Sequence, residues 1–270
     1  MASNVDDWIN DLWLQYVGIN SQALSVHRLL TERGENVIND HIALRTFGHN
    51  RVNIDVLGGL LEAMGYVPVQ AYRFSIKHLS ARHYEHENTS CPKIFISELE
   101  LDKFSARLQR FVDTLVDQIP SSGIKECQFL CSGIAWNAIS YSDYMNLKEE
   151  SEYAAWLAAF GFRANHFTVA VHCLESFRSL LVFNNFLKQN GFCLNTQGGE
   201  IKGSSEVYLE QSSTMAESVP VAFSDKVQYV PACYYEFAYR HVMPNGKLYQ
   251  GFVEQSADKI FESTDNHHSG

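Results

Sequence analysis

Val5, Trp8, Ile9, Leu12, Trp13 and Tyr16 recur at intervals of three and four, which lays one apolar stripe along a helix. Ser3 or Asn4 can cap that helix. A second helix is predicted from Ser21 to Arg33, with Gly34 as its stop. The two make an N-terminal helical layer, residues 1–35, that carries no candidate chemistry. The period then shortens to two. In His41-Ile42-Ala43-Leu44-Arg45-Thr46-Phe47, alternation puts His41, Ala43, Arg45 and Phe47 on one face of a strand and Ile42, Leu44 and Thr46 on the other. A helix over Ile54–Met64 follows, ended by Gly65, and then strands over Tyr66–Phe74 and Lys93–Ser97. Leu101–Ile119 reads as one long amphipathic helix stopped by Pro120, and Ile134–Ser140 as a strand. A helical linker, residues 146–161, centres on Glu149–Phe160 and ends at Gly161. Beyond it come a strand over Asn165–Val171, a helix over Leu174–Gln189, and strands over Val207–Gln211, Cys233–Arg240 and Tyr249–Phe252.

The second half restarts the pattern of the first. His41 opens a strand, a helix follows, and Gly65 closes it 24 residues on; His166 opens a strand, a helix follows, and Gly191 closes it after 25. Asn39 and Asn165 stand just before the two histidines. Two such units in register predict a duplication: modules over residues 36–145 and 162–264, followed by a polar tail, 265–270. Each unit resembles the βαβββ module of the vicinal-oxygen-chelate superfamily. The predicted fold class is therefore α+β, two fused βαβββ-type modules forming a cupped half-barrel sheet with added N-terminal and linker helices.

Composition narrows the function. Of 270 residues, 46% are hydrophobic and 13% aromatic, enough for a substantial core. The formal net charge of -10 argues against nucleic acid and anionic membrane surfaces as partners, and leaves a small anion as a ligand if a pocket supplies local positive charge. The cysteines at 91, 127, 131, 173, 193 and 233 form no CxxC pair and read as reduced thiols. The N-terminus has no basic region before an apolar run, and no apolar run approaches the roughly 18 residues of a membrane span. A soluble, cytoplasmic protein is expected.

Two imidazoles and one carboxylate on one face of a metal are the usual donor set of iron(II) oxygenases. His41 and His166 occupy equivalent positions in the two modules, so duplication symmetry brings them together. Glu236, in Cys233-Tyr234-Tyr235-Glu236-Phe237-Ala238-Tyr239, has apolar or aromatic neighbours on both sides. A carboxylate there needs a metal or a cationic partner such as Arg240 or Arg163. His78, His83 and His86 cluster in the polar stretch Lys77–His86 and are expected in a solvated loop, with His83 able to reach the cup beside the ligands. Arg45 shares its strand face with His41, about 13 Å along the strand at about 3.3 Å per residue. It can grip a substrate carboxylate through parallel hydrogen bonds or serve as a structural ion pair.

Several segments in order resemble the 2-oxoadipate dioxygenase/decarboxylase family: Asn39–Phe47, Pro92–Leu99, Leu209–Ser213, Tyr234–Ala238 and Ser256–Thr264. The similarity runs from about residue 36 to 264. It implies an activity in which 2-oxoadipate, dioxygen and iron(II) give 2-hydroxyglutarate and carbon dioxide, a step of lysine breakdown. It further implies His41, His166 and Glu236 as metal ligands, Arg45 as the residue that grips the substrate, and Ser256 as a second substrate contact. This chain is shorter than the longer bacterial members of that family, which bears on the size of its pocket. A glyoxalase-like or extradiol-type metalloenzyme, or a metal-free binding module, are the competing readings of such a scaffold; oxygen consumption and a metal assay separate them.

Overall fold

The computed structural model describes residues 5–253. Helices α1 (Val5–Val17) and α2 (Ser21–Glu32) form the predicted N-terminal layer, burying Trp8, Leu12 and Tyr16 from α1. Asn20 starts α2 by accepting a hydrogen bond from the Ala23 amide.

The first half of the sheet is β1 (Asn39–Phe47), α3 (Ile54–Glu62), β2 (Tyr66–Phe74), β3 (Leu79–His86) and β4 (Lys93–Leu99). After α4 (Ala106–Val116), α5 (Tyr141–Glu150) and α6 (Glu152–Phe160), the second half is β5 (Ala164–Ala170), α7 (Leu180–Gln189), β6 (Lys202–Ser204), β7 (Leu209–Ser213) and β10 (Glu236–Arg240), with the hairpin β8 (Ser218–Ala222) and β9 (Val227–Pro231) inserted before its last strand. The eight-stranded sheet runs β2-β3-β4-β1-β5-β10-β7-β6. Each half is thus a βαβββ unit in which the first strand lies parallel to the last, β1 with β4 and β5 with β10. The halves meet where β1 runs antiparallel to β5. The sheet curls into a half-barrel, as the fold class predicted.

Six local expectations need correction. Lys77–His86 is not a solvated loop: Leu79–His86 is β3, hydrogen-bonded to β2 and β4, and His83 is 1% exposed. Its small and polar residues hide the alternation because this strand faces the inside of a partly polar cup. Ile134–Ser140 forms no strand; Gly133 alone makes a bridge, to Phe162. The long helix over Leu101–Ile119 breaks, because Phe104 is extended and Ser105 starts α4 by accepting from the Leu108 amide. The linker is two helices rather than one. Ser151 is extended between them and accepts from the Ala154 amide, and Gly161 ends α6. Gly161 has φ 68°, and a Cβ there would meet the Gly133 carbonyl oxygen at 2.1 Å, so only glycine turns the chain into β5 at this point. At the C-terminal end, β10 starts at Glu236 rather than Cys233, and Tyr249–Phe252 is irregular rather than a strand.

Candidate metal centre

The strand register assembles the predicted ligands at the junction of the two halves. On β5, Thr168 lies opposite His41 of β1 on one side and opposite Glu236 of β10 on the other, while His166 lies opposite Ala43. A register shift in β1 between Asn39 and His41 lets Asp40 and His41 both reach into the cup. One ligand atom from each of His41, His166 and Glu236 falls within 4.8 Å of the others. The carboxylate of Glu236 stands between the rings, with Oε1 3.4 Å from His41 Nε2 and Oε2 3.2 Å from His166 Nε2. Donors bonded to one ion at about 2.1 Å and at right angles lie about 3 Å apart, so this spacing suits a single cation. His78, His83 and His86 form no such group among the described residues.

Neighbouring side chains fix each ligand. His41 Nδ1 lies 2.7 Å from Asp40 Oδ1, which leaves Nε2 as the acceptor facing Glu236 and Thr168. Arg240 holds Asp40 from behind with two hydrogen bonds, 2.6 and 2.8 Å, and donates its remaining N–H groups to the carbonyls of Tyr249 and Gly251. That seats the Phe252 ring edge-on to His41, 4.8 Å away. His166 Nδ1 pairs with Asn165 Oδ1 at 3.1 Å, and the Tyr234 ring stacks on its imidazole at 4.7 Å. Gln211 donates to Glu236 Oε1 at 2.6 Å.

The electrostatics ask for a cation. Burial, reinforced by the charges of His41 and Arg45, pushes the His166 pKa well below the ordinary histidine range and keeps the ring neutral. Burial also raises the Glu236 carboxyl, against the opposing pull of His41 and Gln211. Asp40 would be raised by burial too, but Arg240 and His41 hold it well below the usual carboxylate range. A buried carboxylate facing two imidazole nitrogens is a donor set that a divalent metal satisfies.

Arg45 is 4% exposed, and its guanidinium sits over the rings of Tyr153 and Trp156, 4.8 and 4.9 Å from their centroids. It lines a cavity of about 540 Å³ that opens between the β2–β3 turn and α5–α6, flanked by Lys77, Phe104, Met145 and Lys148. The metal ligands do not line that cavity; Arg45 is the residue that belongs to both regions. Ser256 lies outside the described residues. Sequence reasoning missed Asp40, Thr168 and Gln211, and it offered Arg240 as a partner for Glu236 where the structure pairs it with Asp40. Asp40 and Gln211 stood inside recognised segments but among polar chain neighbours that give no alternation; Thr168, between Phe167 and Val169 on a buried strand, was the one that alternation could mark.

The 2-oxoadipate dioxygenase/decarboxylase family model matches residues 10–121 and 122–248. The chain belongs to this family. Among its relatives, the chloroplastic/amyloplastic 2-oxoadipate dioxygenase/decarboxylase of Oryza sativa subsp. japonica is 34% identical over 284 residues, covering 96% of this chain and 78% of that protein. A crystal structure of hydroxyglutarate synthase from Oryza sativa in complex with 2-oxoadipate superposes with a TM-score of 0.89 at 34% identity, covering 96% of this chain and 91% of the other. A Shewanella frigidimarina NCIMB 400 structure described as a hydrolase superposes equally well, TM-score 0.89, at 46% identity over 94% of this chain and 99% of the other. The fold alone is shared with a glyoxalase-superfamily protein of Ralstonia eutropha JMP134, TM-score 0.75 at 19% identity over 88% of this chain and 83% of the other. The family's members are named as oxidoreductase-type enzymes, and this chain is one of that type. Among the described residues no helix is long and apolar enough to cross a membrane.

Proposed function

We propose that this chain is an iron(II)-dependent dioxygenase/decarboxylase. It converts a 2-oxo dicarboxylic acid of the 2-oxoadipate class, with one O2, into the 2-hydroxy acid one carbon shorter and one CO2. For 2-oxoadipate the product is 2-hydroxyglutarate: C1 leaves as CO2 with its own two oxygens, both atoms of O2 enter the hydroxy acid, one in the new carboxylate and one as the hydroxyl, and no second organic substrate is needed. The observation that carries the reading is the convergence of His41, His166 and Glu236, one from each of three adjacent strands, in a buried cup.

The chain's residues divide the work. His41, His166 and Glu236 hold the ion on one side and leave its other side for substrate and gas. Iron(II), when bound, supplies the electrons that dioxygen needs and a chelating position for a 2-oxo acid. Asp40 and Asn165 keep each Nε2 aimed inward, and Gln211 steadies Glu236. Arg45 grips a substrate carboxylate with a planar fork and fixes its pose. Ser256 is the second proposed carboxylate contact. The ligands are at most 5% exposed, and Phe252 covers His41, so the reacting centre is shielded from bulk water. Six cysteines without a disulfide suit a reducing interior such as the cytoplasm.

The test is anaerobic iron(II) loading, followed by oxygen uptake and CO2 release with a panel of 2-oxo acids of four to seven carbons. Uptake and CO2 in equal amounts with a dicarboxylic member is the expected result. The same donor set also serves hydrolases, the description of the Shewanella relative. No oxygen uptake with any 2-oxo acid would overturn the oxygenase reading in favour of that one.

A further inference from the structure

Tyr234 and Tyr235 are consecutive, both fully buried, and both have a hydroxyl without a hydrogen-bond partner. A buried hydroxyl left unpaired is costly, so each needs a reason. Their surroundings differ. Extended neighbours point to opposite sides of the chain. Tyr235 faces the main core, with Trp13, Tyr16 and Phe237 around its ring. Tyr234 lies apart from that core, with Ala216 as its buried apolar companion. Its ring stacks on metal-ligand candidate His166, interplanar angle 26°, and its backbone carbonyl is anchored by the Tyr16 hydroxyl at 2.5 Å. Glu236 and Arg45 both lie close enough for their charges to act on its phenol.

We infer that the Tyr234 hydroxyl is a substrate contact: it donates a hydrogen bond to an anionic oxygen of the 2-oxo acid held between Arg45 and the metal centre. The phenol is held against His166, and its hydroxyl stays unpaired until substrate arrives. Tyr234 thereby adds an O–H donor beside the Arg45 fork, and the pair recognises a carboxylate from two directions. The chemical class selected is a carboxylate next to a carbonyl, since both groups have to lie near the ion while Tyr234 and Arg45 bind oxygen. This assignment rests on the proposed oxygenase reading.

The test pairs Tyr234→Phe with Tyr235→Phe. Each removes one oxygen and keeps the ring. Metal content, thermal midpoint and the anaerobic Kd for 2-oxoadipate are measured on the iron-loaded proteins. Tyr234→Phe is expected to keep its metal, to melt no lower than the parent, and to bind 2-oxoadipate at least about tenfold more weakly, the loss of a hydrogen bond to a charged group. Tyr235→Phe is expected to leave Kd unchanged. An unchanged Kd in Tyr234→Phe overturns the assignment, and so does a weakened Kd accompanied by a lowered melting point, which would mark the hydroxyl as structural. Should Tyr234→Phe fail to fold, the parent protein decides: anaerobic 2-oxoadipate must perturb the ultraviolet absorption of a buried tyrosine, and no perturbation overturns the inference. A parent protein that binds no 2-oxo acid, or consumes no oxygen with one, refutes instead the oxygenase reading on which the inference stands.

Discussion

The two halves of the sheet share a topology and differ in what they put on its inner face. In the first half, β4 meets β1 with Lys93 opposite His41; in the second, β10 meets β5 with Glu236 opposite Thr168. The first half contributes Tyr72, His83 and Phe95, rings that pack on Phe252 where Phe252 in turn meets His41, together with the Arg45 cation. The second half puts hydrogen-bonding side chains on that face: Asn165 and Glu236 beside His166, Gln211 on Glu236, and Thr168 reaching across to His41. One backbone plan has been given two tasks. A charge pair crosses the seam in the opposite sense, Asp40 of the first half with Arg240 of the second. What the halves divide is the candidate chemistry: the first brings Arg45 and the second brings Glu236.

The largest expected effect tests the anionic half. Glu236→Ala or His166→Ala should abolish measurable oxygen uptake and most bound iron, read by metal analysis of the folded protein; retention of one metal per chain in either would place the ion elsewhere. Next comes the pair behind His41. Asp40→Asn keeps a hydrogen-bond acceptor but loses the ion pair with Arg240, and should weaken metal affinity about 10- to 100-fold, the usual cost of losing such a supporting partner. Titration with cobalt(II) measures it, and wild-type affinity would show that Asp40 and Arg240 serve folding alone. Arg45→Lys then probes the cationic half: charge is kept and the planar fork is lost. Catalytic efficiency toward the active 2-oxo acid should fall at least about tenfold with normal iron content. Unchanged kinetics would leave Arg45 as an aromatic-stacked structural cation.

The smallest effect is in stability. Burial, only partly offset by Glu85, pushes His83 down to about 4, with the Lys93 and Arg240 charges acting in the same direction. The unfolded chain therefore binds a proton at this site that the folded chain refuses, between about pH 6.5 and about 4. Stability from this residue is complete above the upper value and declines as pH falls toward the lower one. His83→Gln should flatten that part of the denaturation profile, and an unaltered profile would assign the acid sensitivity to another group.

Much of this was legible in the chain because period and spacing survive folding. His41 and His166 could be matched from their distances to Gly65 and Gly191, and Arg45 from its alternation with His41. Glu236 stood out as an acid among aromatics. β3 was hidden because its inward positions Leu79, Ala81 and His83 do not read as a hydrophobic face. The breaks at Ser105 and Ser151 were hidden because each sits inside a segment whose apolar residues keep a helical spacing across it. The Asp40–Arg240 pair joins residues 200 apart, and no local pattern announces such a partner.

The junction of β1 with β5 carries one more implication. The ligand atoms come from both sides of that seam, so each half by itself owns a fragment of a binding site. An ion seated there acts as a rivet between them: prising the strands apart requires giving up the ion, and chelating it removes a bond that crosses the joint. Resistance to unfolding at this seam should thus rise and fall with the free metal concentration, which makes the seam itself a reporter of whether the enzyme is charged.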